Sequence, residues 1–201
     1  MPKSSYVLRA LLTIGFISVC FVRASEAEWQ LKPFIGATYG GTTSFVLVKD
    51  STGHSHLNFG GNAMFLGEIL GVEGDVGHTL NFFQGPEQPL VVDSGVTTLT
   101  GNIVVALPRH LTQYTLRPYI VGGAGLMHIA ADDQQGALPI SSTLKAMDLG
   151  AGVTGFLTKH LGVTWDVRYF RSIDRTIENG QSVGPEHLSF WRANMAVAIR
   201  L

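Results

Sequence analysis

The sequence predicts an all-β fold: eight antiparallel strands forming an up-and-down transmembrane β-barrel after a cleaved signal peptide. Three observations predict it. Apolar and polar residues alternate with period two along one segment after another. Long and short connections between those segments also alternate. Finally, the chain is apolar, with only 14% charged residues and 24 glycines. Yet beyond its first residues no stretch approaches the roughly 20 apolar residues of a spanning helix. A membrane barrel gives this combination because lipid-facing and interior-facing residues interleave, so no window looks strongly hydrophobic.

Period two and turn residues place the segments near 29–40, 58–66, 70–83, 97–107, 116–131, 143–157, 161–172 and 189–201. The seventh sets Leu161, Val163, Trp165, Val167 and Tyr169 against Gly162, Thr164, Asp166 and Arg168. The eighth sets Trp191, Ala193, Met195, Val197, Ile199 and Leu201 against Arg192, Asn194, Ala196, Ala198 and Arg200. In the fourth, Leu99, Ile103, Val105 and Leu107 oppose Thr98, Thr100 and Asn102. In the sixth, Met147, Leu149, Ala151 and Val153 oppose Asp148, Gly150, Gly152 and Thr154, and in the third Val72 and Val76 oppose Glu73 and Asp75. Side chains alternate faces along a strand, so each segment has one apolar and one polar or small face. The fifth, Arg117 to Ala131, is apolar or small throughout and its direction stays open.

Tight connections fall around 67–69, 108–115 and 158–160, and long polar ones at 41–57, 84–96, 132–142 and 173–188. An up-and-down barrel with that order gathers the long loops at one end and the tight turns with both termini at the other. Outer-membrane barrels have short periplasmic turns and longer extracellular loops, so the N- and C-termini are expected to be periplasmic. A Greek-key sandwich has no reason to alternate this way.

Residues 1–27 read as the signal peptide and 28–201 as the barrel. Lys3 and Arg9 precede the apolar run Ala10–Val22, and Ser25-Glu26-Ala27 puts small residues where a signal peptidase reads them. The run is about 13 residues, short for a membrane anchor. Its Cys20 is the only cysteine, so no disulfide framework supports the barrel. Export also removes Arg23 and leaves a mildly acidic chain without a basic block, which excludes a nucleic-acid partner.

The opening strand Pro33-Phe34-Ile35-Gly36-Ala37, the run Arg117-Pro118-Tyr119-Ile120-Val121-Gly122-Gly123-Ala124-Gly125-Leu126 and the alternating closing strand Phe190–Leu201, behind a signal peptide, resemble the OmpA/OmpX-type small outer-membrane β-barrel domains. The resemblance covers the whole mature chain. It implies residence among outer-membrane lipids of a Gram-negative-type envelope and recognition of the C-terminal strand 189–201 by the barrel-assembly machinery. That family usually ends in Phe, where this chain has Leu201. No peptidoglycan-binding domain is expected after the barrel, so the resemblance does not imply cell-wall anchoring of that kind.

An eight-stranded barrel is just wide enough for side chains to fill it, and unpaired buried charge is costly. Lys32, Glu73, Asp75, Arg117, Asp148, Asp166, Arg168 and Arg192 are therefore expected to form a structural lumen charge network. The glycines Gly36, Gly60, Gly71, Gly77, Gly150 and Gly152 either make room for long arginines or mark backbone bends. Trp29, Tyr39, Phe59, Tyr119, Trp165, Tyr169 and Trp191 are candidate interface aromatics, with Phe82, Phe83, Tyr114 and Phe190 also near strand ends. His54 and His56 form a weak metal pair; no cofactor is indicated. His78, His128 and His187 are the histidines a lipid A-modifying hydrolase could use with Ser and an acid, but no G-x-S-x-G occurs.

The leading reading is a non-enzymatic barrel with a filled polar lumen, structural or engaging an extracellular partner through the long loops, in one of which Ser44–Val48 is an apolar run. The alternatives are a narrow channel for small or hydrophobic solutes, the hydrolase, and a soluble lipocalin-like container with its apolar faces turned inward.

Overall fold

The computed structural model describes residues 27–43, 55–82, 91–112, 116–133, 140–173, 177–178, 181–182 and 188–201. The signal segment, except Ala27, and the centres of the long loops lie outside them, as do His54, His187, Phe83, Tyr114 and the run 44–48.

The strands are β1 (Glu28–Thr43), β2 (His56–Leu66), β3 (Leu70–Leu80), β4 (Val91–Ala106), β5 (Leu116–Asp133), β6 (Ile140–Phe156), β7 (Leu161–Ser172), β8 (Ile177–Glu178), β9 (Gln181–Ser182) and β10 (Leu188–Arg200). Eight close into a barrel in the order β1-β10-β7-β6-β5-β4-β3-β2, every neighbour antiparallel. Closure removes every edge of the barrel sheet, which is what lets its strands exist in lipid, where no water satisfies a free backbone group. Following the register once round from Leu31 through Ala63, Gly74, Gly101, Ala124, Met147, Arg171 and Ser189 returns to Thr42, higher on the same strand. That offset is the stagger a tilted barrel requires. A register irregularity between Tyr39 and Thr42 lies on this path, and Gly40 there takes φ +63°, a left-handed value glycine adopts without steric cost.

Two differences from the sequence-based boundaries have physical causes. First, β4 begins at Val91 and β5 runs to Asp133, so much of the expected 84–96 loop is paired strand. Val91-Val92-Asp93-Ser94 breaks period two, and the register indeed shifts between Val91 and Asp93. Second, the 173–188 connection contains the short antiparallel pair β8–β9. The sequence between its strands is Asn179-Gly180, the residue pair most favoured in two-residue hairpins; that signal was there to be read.

The faces are inverted relative to a soluble barrel. Outward residues are apolar and exposed: Ile103 is 64% and Leu149 68% accessible. Inward residues are the charged and polar ones, with Asp75 and Arg168 at 0%. A soluble protein does not expose so continuous an apolar surface, so the lipocalin-like alternative is overturned. On β5 the inward set is Arg117, Tyr119, Val121, Met127 and Ile129, which settles the direction that composition left open.

Candidate functional site: the lumen and its two mouths

The lumen is layered. In the middle, β3 supplies Glu73 and Asp75, and β7 supplies Asp166 and Arg168, with Arg192 from β10. β3 and β7 stand four places apart on the ring of eight, so their ion pairs cross the lumen. The Arg168 guanidinium reaches Glu73 through both amino groups (Nη1–Oε1 2.6 Å, Nη2–Oε2 3.3 Å) and donates to Asp166 Oδ2 at 3.1 Å. Its Nη1 also lies 3.7 Å from Asp75 and 3.9 Å from Asp148. Arg192 is directly opposite Arg168 in register, a like-charge pair, but its Nη2 turns to Asp75 Oδ1 at 2.7 Å and Nη1 to Thr98 at 3.3 Å. Its guanidinium lies between the Phe34 and Phe170 rings, 4.8 and 4.6 Å from their centroids, and weakly hydrated guanidinium suits such faces. Asn102 donates to Glu73 and Asn194 to Asp166, each at 3.1 Å. The Lys32 ammonium lies 5.0 Å from the centroid of the Tyr119 ring and donates to Thr154 at 3.4 Å.

The small residues make this crowding possible. A Cβ on Gly150 would meet Arg168 Cγ at 2.7 Å, and one on Gly152 would meet the Tyr119 hydroxyl at 2.5 Å. A Cβ on Gly77 would collide with the Arg192 guanidinium. At Gly77 and Gly152 the first atoms met belong to long facing side chains, whereas at Gly150 the Val167 carbonyl oxygen, at 2.6 Å, is as close as Arg168.

Above the charged layer, toward the long loops, Phe82, Val96, Met127, Ile129, Leu144, Ala146, Phe170, Leu188 and Phe190 close the lumen as one apolar cluster. Phe170 and Phe190 stack at 5.3 Å and Phe82 meets Phe190 edge-on at 5.2 Å. Below it, Met64, Leu66, Val104, Ala106, Tyr119 and Val121 form a second apolar layer. Charge is thus held between two greasy stoppers, where water does not compete with the ion pairs.

Several expected residues sit elsewhere. Arg117 is buried but belongs to the turn end: it donates to the Gly67 and Glu68 carbonyls at 2.7 Å and to Leu107 at 3.2 Å, tying two tight turns together. Its place at the start of β5 puts it beyond reach of the central acids. Tyr119 is not an interface aromatic: parity with Arg117 and Val121 points it inward, 4% exposed, with its hydroxyl donating to Asp166 at 3.3 Å. Phe82 and Phe190 are likewise inside, as part of the apolar stopper. Trp29, Tyr39, Phe59, Trp165 and Trp191 do face outward, and Tyr169 packs on Trp191 at 5.1 Å. Trp165 departs from the interface assignment in another way, lying near the middle of β7 rather than at its end.

His56 points inward against Phe82 (5.8 Å), and among the described residues no group of three His, Cys, Asp or Glu could hold a metal. His78 and His128 lie on the outer wall, hydrogen-bonded to the hydroxyls of Thr97 (2.8 Å) and Thr143 (2.9 Å), their direct cross-strand partners. The apolar stopper is what sequence reasoning missed: its members come from five strands and a turn, and no local pattern links them.

This geometry can be set beside known proteins. The family described as outer membrane protein beta-barrel domain matches residues 12–189. Among solved structures, Neisserial surface protein A aligns with TM-score 0.63 at 14% identity, covering 88% of this chain and all of that one. OprG of Pseudomonas aeruginosa aligns with TM-score 0.56 at 13% identity, covering 88% and 96%. Ail, the attachment invasion locus protein of Yersinia pestis, solved with the heparin analogue sucrose octasulfate, aligns with TM-score 0.50 at 13% identity, covering 87% and 99%. At such identities these neighbours speak to the fold alone. No curated protein sequence matches the chain. The family match spans most of the chain and agrees with the closed barrel and its apolar outer wall: the chain belongs to the outer membrane protein β-barrel domain family.

Proposed function

We propose that this protein is a non-enzymatic, sealed outer-membrane barrel that serves as a rigid mount for its long loops. The N-terminal segment 1–27 exports it, the C-terminal strand presents it to the barrel-assembly machinery, the tight turns and both termini face the periplasm, and the loops meet the cell exterior. The observation behind this reading is the layered lumen: an ion-pair network bridging opposite walls, with the Phe170–Phe190 stack closing the loop end. A scaffold of that kind holds loops in fixed relative positions, and loops on rigid scaffolds commonly do the binding. Ail, an attachment invasion locus protein of similar fold, was solved in complex with the heparin analogue sucrose octasulfate.

Conductance across a planar lipid bilayer tests the sealed lumen. The refolded protein should give no discrete current steps. Reproducible ohmic steps would establish the narrow-channel alternative instead. A variant with β8–β9 and its flanks, 174–187, replaced by a short Gly-Ser link should fold unchanged yet lose adhesion to host-matrix polysaccharide or protein. Unchanged adhesion would count against the loop-mount reading.

A further inference from the structure

We propose that the turn-end mouth of the barrel is an anion site that takes a phosphate group. A cavity of about 560 Å³ opens there, lined by Arg109, Arg117, Phe156, Leu157, Lys159 and Arg200 with two threonines. Four cationic side chains thus face one space. The carboxylate set among them is Glu28, which serves three at once: Arg109 at 2.8 Å, Arg200 at 2.5 Å and Arg117 at 3.9 Å. The other nearby acid, Glu68, accepts from the Arg109 backbone N–H at 3.0 Å and lies 3.7 Å from His110.

Arg117 supplies the second observation. Its side chain is 6% exposed. Its Nε and Nη2 are used on turn carbonyls, while Nη1 makes no hydrogen bond among the described residues. A buried guanidinium nitrogen with a free donor, on a residue lining a cation-rich cavity, is unfavourable unless an acceptor comes to it. Three guanidiniums and one ammonium outnumber Glu28 and Glu68 together and leave more than one positive charge to match. A tetrahedral oxyanion with several acceptor oxygens meets planar Arg forks better than one further carboxylate does.

The cavity is larger than a bare phosphate, and beside its cations and two threonines it has an apolar wall. Phe156 lies under the Arg200 guanidinium at 3.7 Å, and Leu157 is 81% exposed beside the lipid-facing wall. The phosphate can therefore arrive free in solution or as the headgroup of a phospholipid whose chains lie along that wall; both sources present the same chemistry.

The experiment uses the full mature chain folded in octyl glucoside micelles, which contain no phosphate. Arginine Nε–H resonances are followed by NMR during titration with inorganic phosphate and, separately, with monomeric dihexanoylphosphatidylglycerol. The Arg117 and Arg200 signals should shift saturably. Lys159→Gln with Arg109→Gln, both on exposed positions and checked for folding by circular dichroism, should weaken binding at least roughly tenfold, as loss of two charge-assisted contacts would. Comparable affinity for both probes identifies a site for free phosphate; at least tenfold tighter lipid binding identifies a headgroup site. The proposal is overturned if neither probe shifts those signals, if chloride at equal ionic strength shifts them as much, or if the double substitution leaves affinity unchanged.

Discussion

The two faces of a single strand, β7, live in different solvents. Outward, Leu161, Trp165 and Val167 present apolar surface that the described residues leave exposed, with Trp165 59% accessible. Inward, one residue away each time, Thr164, Asp166 and Arg168 are at most 5% accessible: Thr164 bonds Thr154 on the neighbouring β6, Asn194 on β10 donates to Asp166, and Arg168 crosses the lumen to Glu73. In a soluble protein these exposures would be reversed. The comparison teaches that polar burial here is forced by lipid: once the outer wall is apolar, the lumen is the remaining place for charge, and it must then be neutralised internally. Each side can be broken separately.

Breaking the inner face should cost most. Arg168→Ala removes the cation that Glu73, Asp75 and Asp166 share, stranding buried carboxylates, which costs about 3–5 kcal/mol. The urea midpoint of the lipid-refolded protein should fall accordingly; an unchanged midpoint would show that the acids are not held by Arg168. Breaking the outer face should cost somewhat less: Val167→Lys puts a cation into the lipid-facing wall, about 2–4 kcal/mol near the bilayer midplane and less toward the interfaces. If the change were neutral, Val167 would not be in hydrocarbon.

Gly150→Ala tests the fit between strand and arginine. Its Cβ would lie 2.6 Å from the Val167 carbonyl oxygen and 2.7 Å from Arg168 Cγ, an overpacking costing about 1–3 kcal/mol. Refolding yield and urea midpoint should both drop, while Gly74→Ala, whose Cβ meets nothing within 4 Å, should leave both nearly unchanged. The smallest effect separates the acids themselves. Among the described residues neither Asp148 carboxylate oxygen accepts a hydrogen bond. Asp148→Asn should therefore change stability by no more than about 1 kcal/mol, or raise it, since neutralising a poorly paired buried charge is often neutral or stabilising. A large loss would mean Asp148 is an obligatory partner of Arg168.

Much of this was legible because barrel strands obey one local rule. Trp165, Asp166, Val167 and Arg168 alternate, and the alternation alone puts them on opposite walls. The order of long and short connections added topology, since it requires only that neighbours in sequence be neighbours in space. What stayed illegible was non-local. β5 reads Val121-Gly122-Gly123-Ala124-Gly125, apolar or small on both faces, so the sequence left its direction open; in the structure Tyr119 shares the inward face with Arg117 and Val121 and reaches Asp166 on β7. In the stopper Phe170 and Phe190 are cross-strand partners on the neighbouring β7 and β10, and Phe82, beyond the end of β3, meets Phe190 from another part of the ring, which no window of sequence contains. Arg117 had the residue type of a lumen base, but its height along β5 assigned it to the turns.

The account stands or falls on the outer wall meeting lipid, and the three native tryptophans report on it directly. Trp29, Trp165 and Trp191 all face outward, Trp29 at the turn end, Trp191 toward the loop end and Trp165 between them. In single-tryptophan variants (the others changed to Phe) refolded into vesicles, fluorescence quenching by lipids brominated at different depths should be strong for all three. Trp165 should be quenched best by the deepest bromines, Trp29 and Trp191 by shallower ones, with little quenching by aqueous iodide. Quenching of Trp165 by iodide, with none by brominated lipid, would contradict the lipid-facing wall and the sealed membrane barrel built on it.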